Sequence, residues 1–323
     1  MTRVPLFIAP FMLFVSAIAQ AETSQAQALL RAMAEAYHQL EYRGRFIYAH
    51  GADISTMEVS HAVIDGREYE RLTHLDGQLA ELIRTGEEIV CIHPDQTLTR
   101  LPRGSGLGPL DLRERIARVP QQYNVLIDGE DRVAGRDTLR VRLAPLDSHR
   151  HGYRLWLDQE SALLLKSEMV DDSGRALERV EFVSLELSPG LTRDDFTVPA
   201  AVRERVLESI DEQDHPVGRL RLSSGWLPNG FSIAERDLRQ PDARRQPIVA
   251  KSYTDGLAAF SVFVEPVVGA DREEGVTRMG PTVAVSRNLR LEANDYRVTL
   301  VGEVPLPTAE RIIAGMELSN ADD

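Results

Sequence analysis

Residues 153–171 read YRLWLDQESALLLKSEMVD, and this stretch carries the clearest signal for the fold of the first half of the chain. Residues 153–157 and 163–170 have the composition and the alternation of strands, and the polar turn 158–161 separates them. A turn that short joins antiparallel neighbours, because parallel strands require a crossover of a dozen or more residues. The stretch therefore predicts a β-hairpin.

Strand-like segments recur on both sides of this hairpin. They begin at Tyr42 and continue at residues 54–64, 68–75, 88–93, 97–101, 139–143 and 179–187. Short turns such as Asp65-Gly66 separate most of them, so the pattern predicts an antiparallel meander of about nine strands. The apolar parity slips within residues 180–187, which predicts a bulge or a sharp bend where the sheet curls.

Two helices are predicted to cover this sheet. Thr23 or Ser24 can cap the first, over residues 24–40, in which apolar residues recur at helical spacing: Leu29, Leu30, Met33, Tyr37 and Leu40. The second is short and lies near residues 110–119. The fold class is therefore mainly β with some α, and this first domain occupies residues 22–197.

A linker and a smaller domain follow. Residues 198–216 are rich in Glu, Asp and Pro, with only a brief helical pattern over residues 200–210. The second domain, residues 217–318, is predicted to contain an antiparallel sheet with strands at 231–238, 257–264, 282–285 and 296–301. Residue pair Asp255-Gly256 predicts a type I′ hairpin, and residues 257–264 are apolar enough for a central strand.

The chain is predicted to close on a helix and a tail. Thr308 can cap the helix, with Ile312, Ile313 and Met316 facing inward. Residues 319–323 are polar, and we expect them to be disordered.

The N-terminus has the features of an export signal. Arg3 precedes an apolar run that ends on Ala19-Gln20-Ala21, so residues 1–21 are predicted to be a signal peptide cleaved before Glu22. The first mature residue is then not the cysteine that lipoproteins require, since the single cysteine is Cys91. One cysteine also excludes an intramolecular disulfide. We expect an unanchored periplasmic protein.

Composition and motifs argue against catalysis and against nucleic acid. The formal net charge of −13 disfavours nonspecific binding to nucleic acid or to an anionic membrane. Residues 104–108, Gly-Ser-Gly-Leu-Gly, fail the dinucleotide pattern at Pro109 and are better explained as a loop beside a pocket. The His149-Arg150-His151 triplet lacks further metal ligands, and an exposed hairpin turn is the preferred interpretation. No enzyme, cofactor or metal is predicted.

Two sets of residues carry a family resemblance. The hairpin quoted above, with its Trp156-Leu157-Asp158, followed by Gly174 and by Asp195-Phe196-Thr197-Val198-Pro199, resembles periplasmic lipoprotein carriers of the LolA/LolB type. The second set is GWLPNGF at 225–231, YTDGLAAFSVFVE at 253–265 and GEVP at 302–305. Together, and in this order behind a signal peptide, they resemble the MucB/RseB family of sigma-E regulators.

The resemblance implies a fold and a function. It implies an unclosed antiparallel β-barrel with covering helices, joined by a linker to a smaller α/β domain with a terminal helix. It implies binding to the periplasmic domain of a membrane anti-sigma factor of the MucA/RseA type, which is thereby shielded from proteolysis. An acylated lipid, lipopolysaccharide or lipoprotein would release this partner.

The candidate site residues follow from that resemblance. Strand parity selects lipid-facing candidates on one sheet face, although ordinary core is an alternative for each: Phe46, Tyr48, Leu139, Val141, Leu155 and Leu157. Aromatic and apolar residues of the second domain are candidates for partner binding, again with core as the alternative: Trp226, Leu227, Phe231 and Tyr253. A lipid or lipoprotein carrier is the competing function, and a homo-oligomer stays open.

Overall fold

One long sheet, whose strands lie between Tyr42 and Glu204, forms most of the first domain. The computed structural model describes residues 11–77, 80–101, 116–199, 202–204, 220–234, 249–267 and 274–320. The strands of the first sheet are β1 (Tyr42–His50), β2 (Asp53–Ile64), β3 (Arg67–His74), β4 (Glu81–Thr85), β5 (Glu88–Ile92), β6 (Thr97–Leu101), β7 (Tyr123–Val133), β8 (Arg136–Pro145), β9 (Gly152–Asp158), β10 (Leu164–Val170), β11 (Ala176–Leu187) and β12 (Arg203–Glu204).

The sheet is curled but not closed. Its spatial order is β12-β6-β5-β4-β3-β2-β1-β11-β10-β9-β8-β7, and only β12 runs parallel to its neighbour. Strands β7 and β12 form the two edges and do not pair with each other in the described residues. The predicted unclosed antiparallel barrel is confirmed, and the hairpin of residues 153–171 is β9–β10.

Three strands depart from the predictions. The patterns of β4 and β7 were missed, because β7 carries the charged run Asp128 to Arg132 and β4 has only Leu82 and Ile83 as apolar residues. Strand β12 replaces part of the predicted helical stretch 200–210 and extends the first sheet into the predicted linker. Backbone pairing with β6 outweighs the weak helical pattern there.

The predicted bulge is present on β11. Arg45 pairs with Ser184 and Phe46 pairs with Phe182, so Val183 is the extra residue. Val183 is also exposed. A bulged residue interrupts the alternation of the strand, so its side chain need not face the core.

Among the residues that the structure describes, one long helix packs against a face of this sheet. Helix α1 spans Phe11–Gln39 and contains the predicted segment 24–40 except its last residue. Ala26, Leu30, Met33 and Ala34 are buried against the β7–β9 side of the sheet, as their spacing of three and four residues requires. The predicted caps are wrong, because the helix continues through residues 23 and 24.

The second domain has its own sheets. Its strands are β13 (Leu220–Ser224), β14 (Ser232–Ile233), β15 (Val249–Thr254), β16 (Ala259–Pro266), β17 (Gly275–Met279), β18 (Thr282–Leu291), β19 (Asn294–Gly302) and β20 (Met316–Asn320), with helix α2 at Leu306–Ala314. Six strands form one sheet in the order β14-β15-β16-β19-β18-β17, and β13 pairs with β20. The predicted central strand is confirmed as β16, whose Phe260, Val262 and Val264 are buried.

Local predictions in the second domain need correction. Residues 255–258 form a four-residue loop between β15 and β16, in which Asp255 lacks the positive φ of a type I′ turn. The Asp255 carboxylate instead accepts hydrogen bonds from the N–H groups of Leu257 and Ala258, at 2.8 Å each. Thr308 lies inside α2, and Pro305 occupies the N-cap position without a side-chain hydrogen bond. Ser319 and Asn320 belong to β20, which pairing with β13 orders.

Other predictions fall outside the described residues. These are the glycine loop 104–108, most of the helix 110–119, most of the linker 205–216, and residues 321–323. Within the part that the structure describes, no helix combines the length and the apolar character that crossing a membrane requires.

Candidate functional site

A cavity of about 1000 Å³ lies where the two domains meet. The first domain contributes the β8–β9 loop (residues 146–151) and the β10–β11 turn around Asp171. The second contributes the β17–β18 turn at Gly280 and the first turn of α2. Four connections from distant parts of the sequence thus enclose this interdomain cavity.

The wall of the interdomain cavity is rich in arginine. Six arginines and three aspartates lie along it, although the whole chain has 37 basic and 50 acidic residues. The side chain of one of these arginines, Arg150, is fully buried behind the wall. Arg154 and Arg175 are paired within the first domain, to Glu168 at 3.2 Å and to Asp171 at 3.0 Å. Arg278 and Arg311 are exposed at the second-domain side. The cavity is therefore suited to an anionic or acidic ligand.

The β8–β9 loop differs from its prediction. The His149-Arg150-His151 triplet does lie between two strands, but Arg150 and His151 are buried rather than exposed. The loop inserts into the second domain, where His149 Nδ1 lies 3.1 Å from the hydroxyl of Thr308. Burial lowers the pKa of His151, which keeps its imidazole neutral.

The predicted partner residues of the second domain separate into two groups. Phe231 and Tyr253 are buried and pack around Phe260 in the core of this domain. Trp226 and Leu227 are half-buried at the edge of that core. The Trp226 ring makes an edge contact with His149 at 5.1 Å, and the Arg311 guanidinium lies 3.8 Å from its centroid. Trp226 thus lies at the rim of the interdomain cavity.

Three of the lipid-facing candidates lie under helix α1. Val141, Leu155 and Leu157 are buried in one cluster with Leu30 and Met33 of this helix. Strand register places Val141 opposite Leu155. In this conformation the helix covers the apolar face, so these side chains are packed as core.

The other three candidates are half-buried. Phe46 packs on Phe182 in a separate cluster, with ring centroids 5.5 Å apart. The hydroxyl of Tyr48 donates to Glu178 at 3.0 Å, and burial together with this carboxylate raises the Tyr48 pKa. Leu139 pairs with Leu157 on the neighbouring strand. The six candidates therefore do not line one shared cavity in the described residues.

A buried charge cluster joins the end of α1 to strands β2, β3 and β4. Arg84 donates to Glu68 at 2.8 Å and to Glu70 at 3.1 Å. His61, which is fully buried, contacts Glu68 at 3.0 Å and the Leu40 carbonyl at 2.7 Å. Tyr37 donates to Glu70 at 3.0 Å. Sequence reasoning missed this cluster because strand alternation gives no reason to bury Glu68 and Arg84 together.

The cluster changes the ionisation of Glu68. Burial alone would raise its pKa, but the hydrogen bonds from Arg84 and His61 outweigh burial and hold the pKa well below its usual range. Glu68 is therefore a stable anion that ties the helix end to the sheet.

Comparison with known proteins identifies relatives over nearly the whole chain. The model of the MucB/RseB N-terminal domain matches residues 25–201, and that of the MucB/RseB C-terminal domain matches residues 218–317. The sigma factor AlgU regulatory protein MucB of Pseudomonas aeruginosa is 34% identical over 297 residues, which are 92% of each chain. The sigma-E factor regulatory protein RseB of Haemophilus influenzae is 30% identical, covering 93% of this chain and 94% of that one.

Solved structures agree with the sequence relatives. A structure of the Pseudomonas aeruginosa MucA/MucB complex has a TM-score of 0.74 at 33% identity, over 91% of this chain and 98% of that chain. A crystal structure of MucB has a TM-score of 0.64 at 31% identity, with the same coverage. These matches span both domains, and the chain therefore belongs to the MucB/RseB family of sigma-factor regulatory proteins.

Proposed function

We propose that this chain is a regulator that binds the periplasmic segment of a membrane anti-sigma factor and shields it from proteolysis. One observation carries the proposal: over 91% of its length, the chain as a whole superposes on MucB in its complex with MucA with a TM-score of 0.74, against 0.64 for MucB described without a partner. The relatives are named as regulatory proteins, which supports binding rather than catalysis.

The interdomain cavity is the docking surface that the charges favour. Arg278 and Arg311 are exposed there, and in the described residues neither has a carboxylate within ion-pairing distance. Trp226 adds a half-buried aromatic surface beside Arg311. An acidic, partly apolar segment would meet both kinds of contact. Phe231 and Tyr253 are too buried to contact it directly, so their contribution would be structural.

A titration tests this docking surface. The labelled periplasmic segment of the anti-sigma factor from the same organism is titrated with the exported chain and with an Arg278→Glu/Arg311→Glu variant. We expect the variant to bind about tenfold more weakly, with a smaller dependence on salt. Arg45→Glu is the control, since Arg45 is 61% exposed on β1, away from the cavity. Equal affinities of the wild type and the double variant would place the docking surface elsewhere.

We further propose that acylated ligands release the partner by entering the apolar face of the first domain. Val141, Leu155 and Leu157 share a buried cluster with Leu30 and Met33 of α1, so an acyl chain would take the place of these two helix side chains. A dipalmitoyl lipopeptide should reduce anti-sigma binding, whereas the same peptide without acyl chains should not. Lipopeptide binding in a protein that never binds the anti-sigma segment would favour the carrier function instead.

Phe46→Glu tests whether the acyl chain also reaches the separate cluster that Phe46 forms with Phe182. The variant should lose lipopeptide binding, while Val183→Glu should keep it, because Val183 is 50% exposed at the neighbouring bulge. Unchanged lipopeptide affinity in a folded Phe46→Glu protein would remove Phe46 from the site.

The proposed location is the periplasm, reached by cleavage after Ala21. Family membership and the N-terminal sequence support this location. Mass spectrometry of the protein from the periplasmic fraction should give a chain that begins at Glu22. A chain that keeps residues 1–21 would contradict the cleavage site.

A further inference from the structure

The β8–β9 loop places a fully buried charge between the two domains. The Arg150 side chain has no exposed surface, and neither does its second-domain partner Asp255. One guanidinium nitrogen donates to the Asp255 carboxylate, and another donates to the Asn229 carbonyl at 2.6 Å. On the first-domain side, Arg150 pairs with Asp147 at 2.9 and 3.0 Å. These four residues, Asp147, Arg150, Asn229 and Asp255, form what we call the Arg150 contact.

Aromatic rings of both domains enclose the same guanidinium. Its central carbon lies 5.9 Å from the centroid of Tyr123 in the first domain and 5.3 Å from that of Phe231 in the second. Tyr123 belongs to the core beneath α1, and Phe231 belongs to the core of the second domain. Because both cores touch it, Arg150 cannot move relative to one domain without losing contacts to the other.

The second domain is shaped to receive this loop. Gly230 has φ +86°, and a Cβ there would lie 2.2 Å from Nε2 of Gln122 in the first domain. Leu257, from the loop that holds Asp255, packs against the core beneath α1. The second domain therefore approaches the first through two loops, 226–231 and 255–258, on either side of Arg150.

Charge burial makes this arrangement specific. A desolvated guanidinium is tolerated only where hydrogen bonds and counter-charges satisfy it, and the Arg150 contact supplies them from both domains at once. A rotation or a translation that separated the domains at this point would leave Arg150 and Asp255 buried without partners, or would require both to be rehydrated. Apolar contacts alone would permit more sliding, because they are not directional.

We propose that Arg150 is a positioning residue that sets the orientation of the second domain on the first, and thereby the shape of the interdomain cavity. It does so without contacting the partner. The part of this inference that concerns partner affinity rests on the proposed function, whereas the part that concerns orientation does not.

Interdomain distances test the orientation directly. Spin labels are placed at Glu130→Cys in β7 and Arg290→Cys in β18, both exposed, in a Cys91→Ser background. Pulsed electron–electron double resonance should give a narrow distribution of distances between the two labels when Arg150 and Asp255 are unchanged. Arg150→Met and Asp255→Asn should each broaden or shift it. Asp255→Asn keeps the side-chain oxygen that holds its own loop and removes only the charge, so it is the variant expected to fold if Arg150→Met does not.

Arg136→Met is the matched control. Arg136 lies on the same β8–β9 hairpin and makes a two-pronged ion pair with the buried Asp158, at 2.8 and 2.9 Å, but this pair lies within the first domain. Its loss should destabilise the first domain and leave the distance distribution unchanged. A merely structural role of Arg150 would give the same result as Arg136→Met.

Binding completes the test. Arg150→Met and Asp255→Asn should weaken anti-sigma binding at least about tenfold, as expected for a misaligned two-domain surface. A narrow, wild-type distance distribution in both variants would overturn the proposal. If the wild type itself fails to bind the anti-sigma segment, the proposed function fails, and the distance measurement still decides the role of Arg150.

Discussion

The buried charge cluster under the end of α1 makes a prediction that can be worked out from its geometry. The Arg84 side chain is 3% exposed, and its two carboxylate partners, Glu68 and Glu70, are 18% and 14% exposed. Arg84→Met keeps the length and the apolar stem of the side chain but removes the charge between the two carboxylates. The same carboxylates hold the end of α1 through Tyr37 and His61. We therefore expect Arg84→Met to lower the free energy of unfolding of the whole first domain.

The expected magnitude comes from the cost of an uncompensated buried charge. Removal of one partner from a buried pair costs about 3–5 kcal/mol. Glu68 keeps His61 as a donor at 3.0 Å, so we expect about 3 kcal/mol at pH 7.5, at the lower end of that range. Arg45→Met is the control, because the Arg45–Glu58 pair is 61% and 31% exposed. Exposed pairs of this kind contribute about 0.5 kcal/mol.

The pH dependence has a definite sign. In the wild type the folded-state pKa of Glu68 is depressed, so its contribution is complete above its ordinary value of about 4.3 and constant between pH 7.5 and 5. In Arg84→Met the main donor is lost, and we expect burial, the largest single influence on Glu68, then to raise its pKa in spite of the remaining His61 contact. The variant therefore becomes more stable as the pH falls, because each tenfold gain in the proton affinity of folded Glu68 contributes up to about 1.4 kcal/mol. The penalty should be smaller at pH 5 than at pH 7.5.

Tryptophan fluorescence separates the two domains in this assay. The chain has two tryptophans, Trp156 in the first sheet and Trp226 in the second domain. In a Trp226→Phe background, urea unfolding followed at Trp156 reports the first domain alone. A penalty equal at the two pH values, or no larger than that of Arg45→Met, would refute the account of the cluster.

Three further outcomes are expected. Gly302→Ala should destabilise the second domain by about 3 kcal/mol, because the new Cβ would lie 2.3 Å from Phe260 Cβ and 2.5 Å from its Cα. In the control Gly275→Ala the new Cβ meets nothing within 4 Å, so this variant should keep the wild-type stability. Urea unfolding followed at Trp226 compares the two variants. Leu30→Ala should lower the free energy of unfolding of the first domain by about 2–5 kcal/mol. In the control Leu146→Ala the residue is 63% exposed, so stability should change by less than about 0.5 kcal/mol. Equal effects of the two substitutions in urea unfolding would contradict the packing of α1. Burial raises the pKa of the Cys91 thiol, so its reaction with a disulfide reagent at pH 7.5 should be slower than that of free cysteine and should still be accelerating at pH 9.

Local sequence patterns predicted the first-domain hairpin, the bulge and the central strand of the second domain. Alternation and short turns identified β9–β10, and the parity slip identified the bulge that the register places at Val183. The apolar run of β16 marked it as central, which the sheet order confirms. The sequence pattern did not identify β7 as a strand, because its charged stretch lies at an edge of the sheet, where one side needs no apolar cover.

Contacts between distant segments could not be predicted in this way. Arg150 lies in a polar triplet, and nothing within that triplet indicates that Asp255, 105 residues further along, is buried against it. The same holds for the pairing of Arg84 with Glu68 and Glu70, where alternation identifies a shared face but not its depth. For that reason the triplet was expected to be exposed, and the charge clusters became visible only in the folded chain.

The family motifs of the second domain coincide with the loops that receive Arg150. Residues 225–231 and 253–265, with 302–305, carried the resemblance, and Trp226, Leu227, Phe231 and Tyr253 were predicted as partner contacts. In the structure, Gly230 permits the approach to Gln122, Asn229 accepts from Arg150, and Asp255 neutralises it. A sequence that keeps these two loops and their contacts with the first domain therefore also keeps the angle between the domains. Substitutions in these motifs should therefore alter partner binding through the shape of the interdomain cavity, even where the substituted side chain is buried and never reaches the partner.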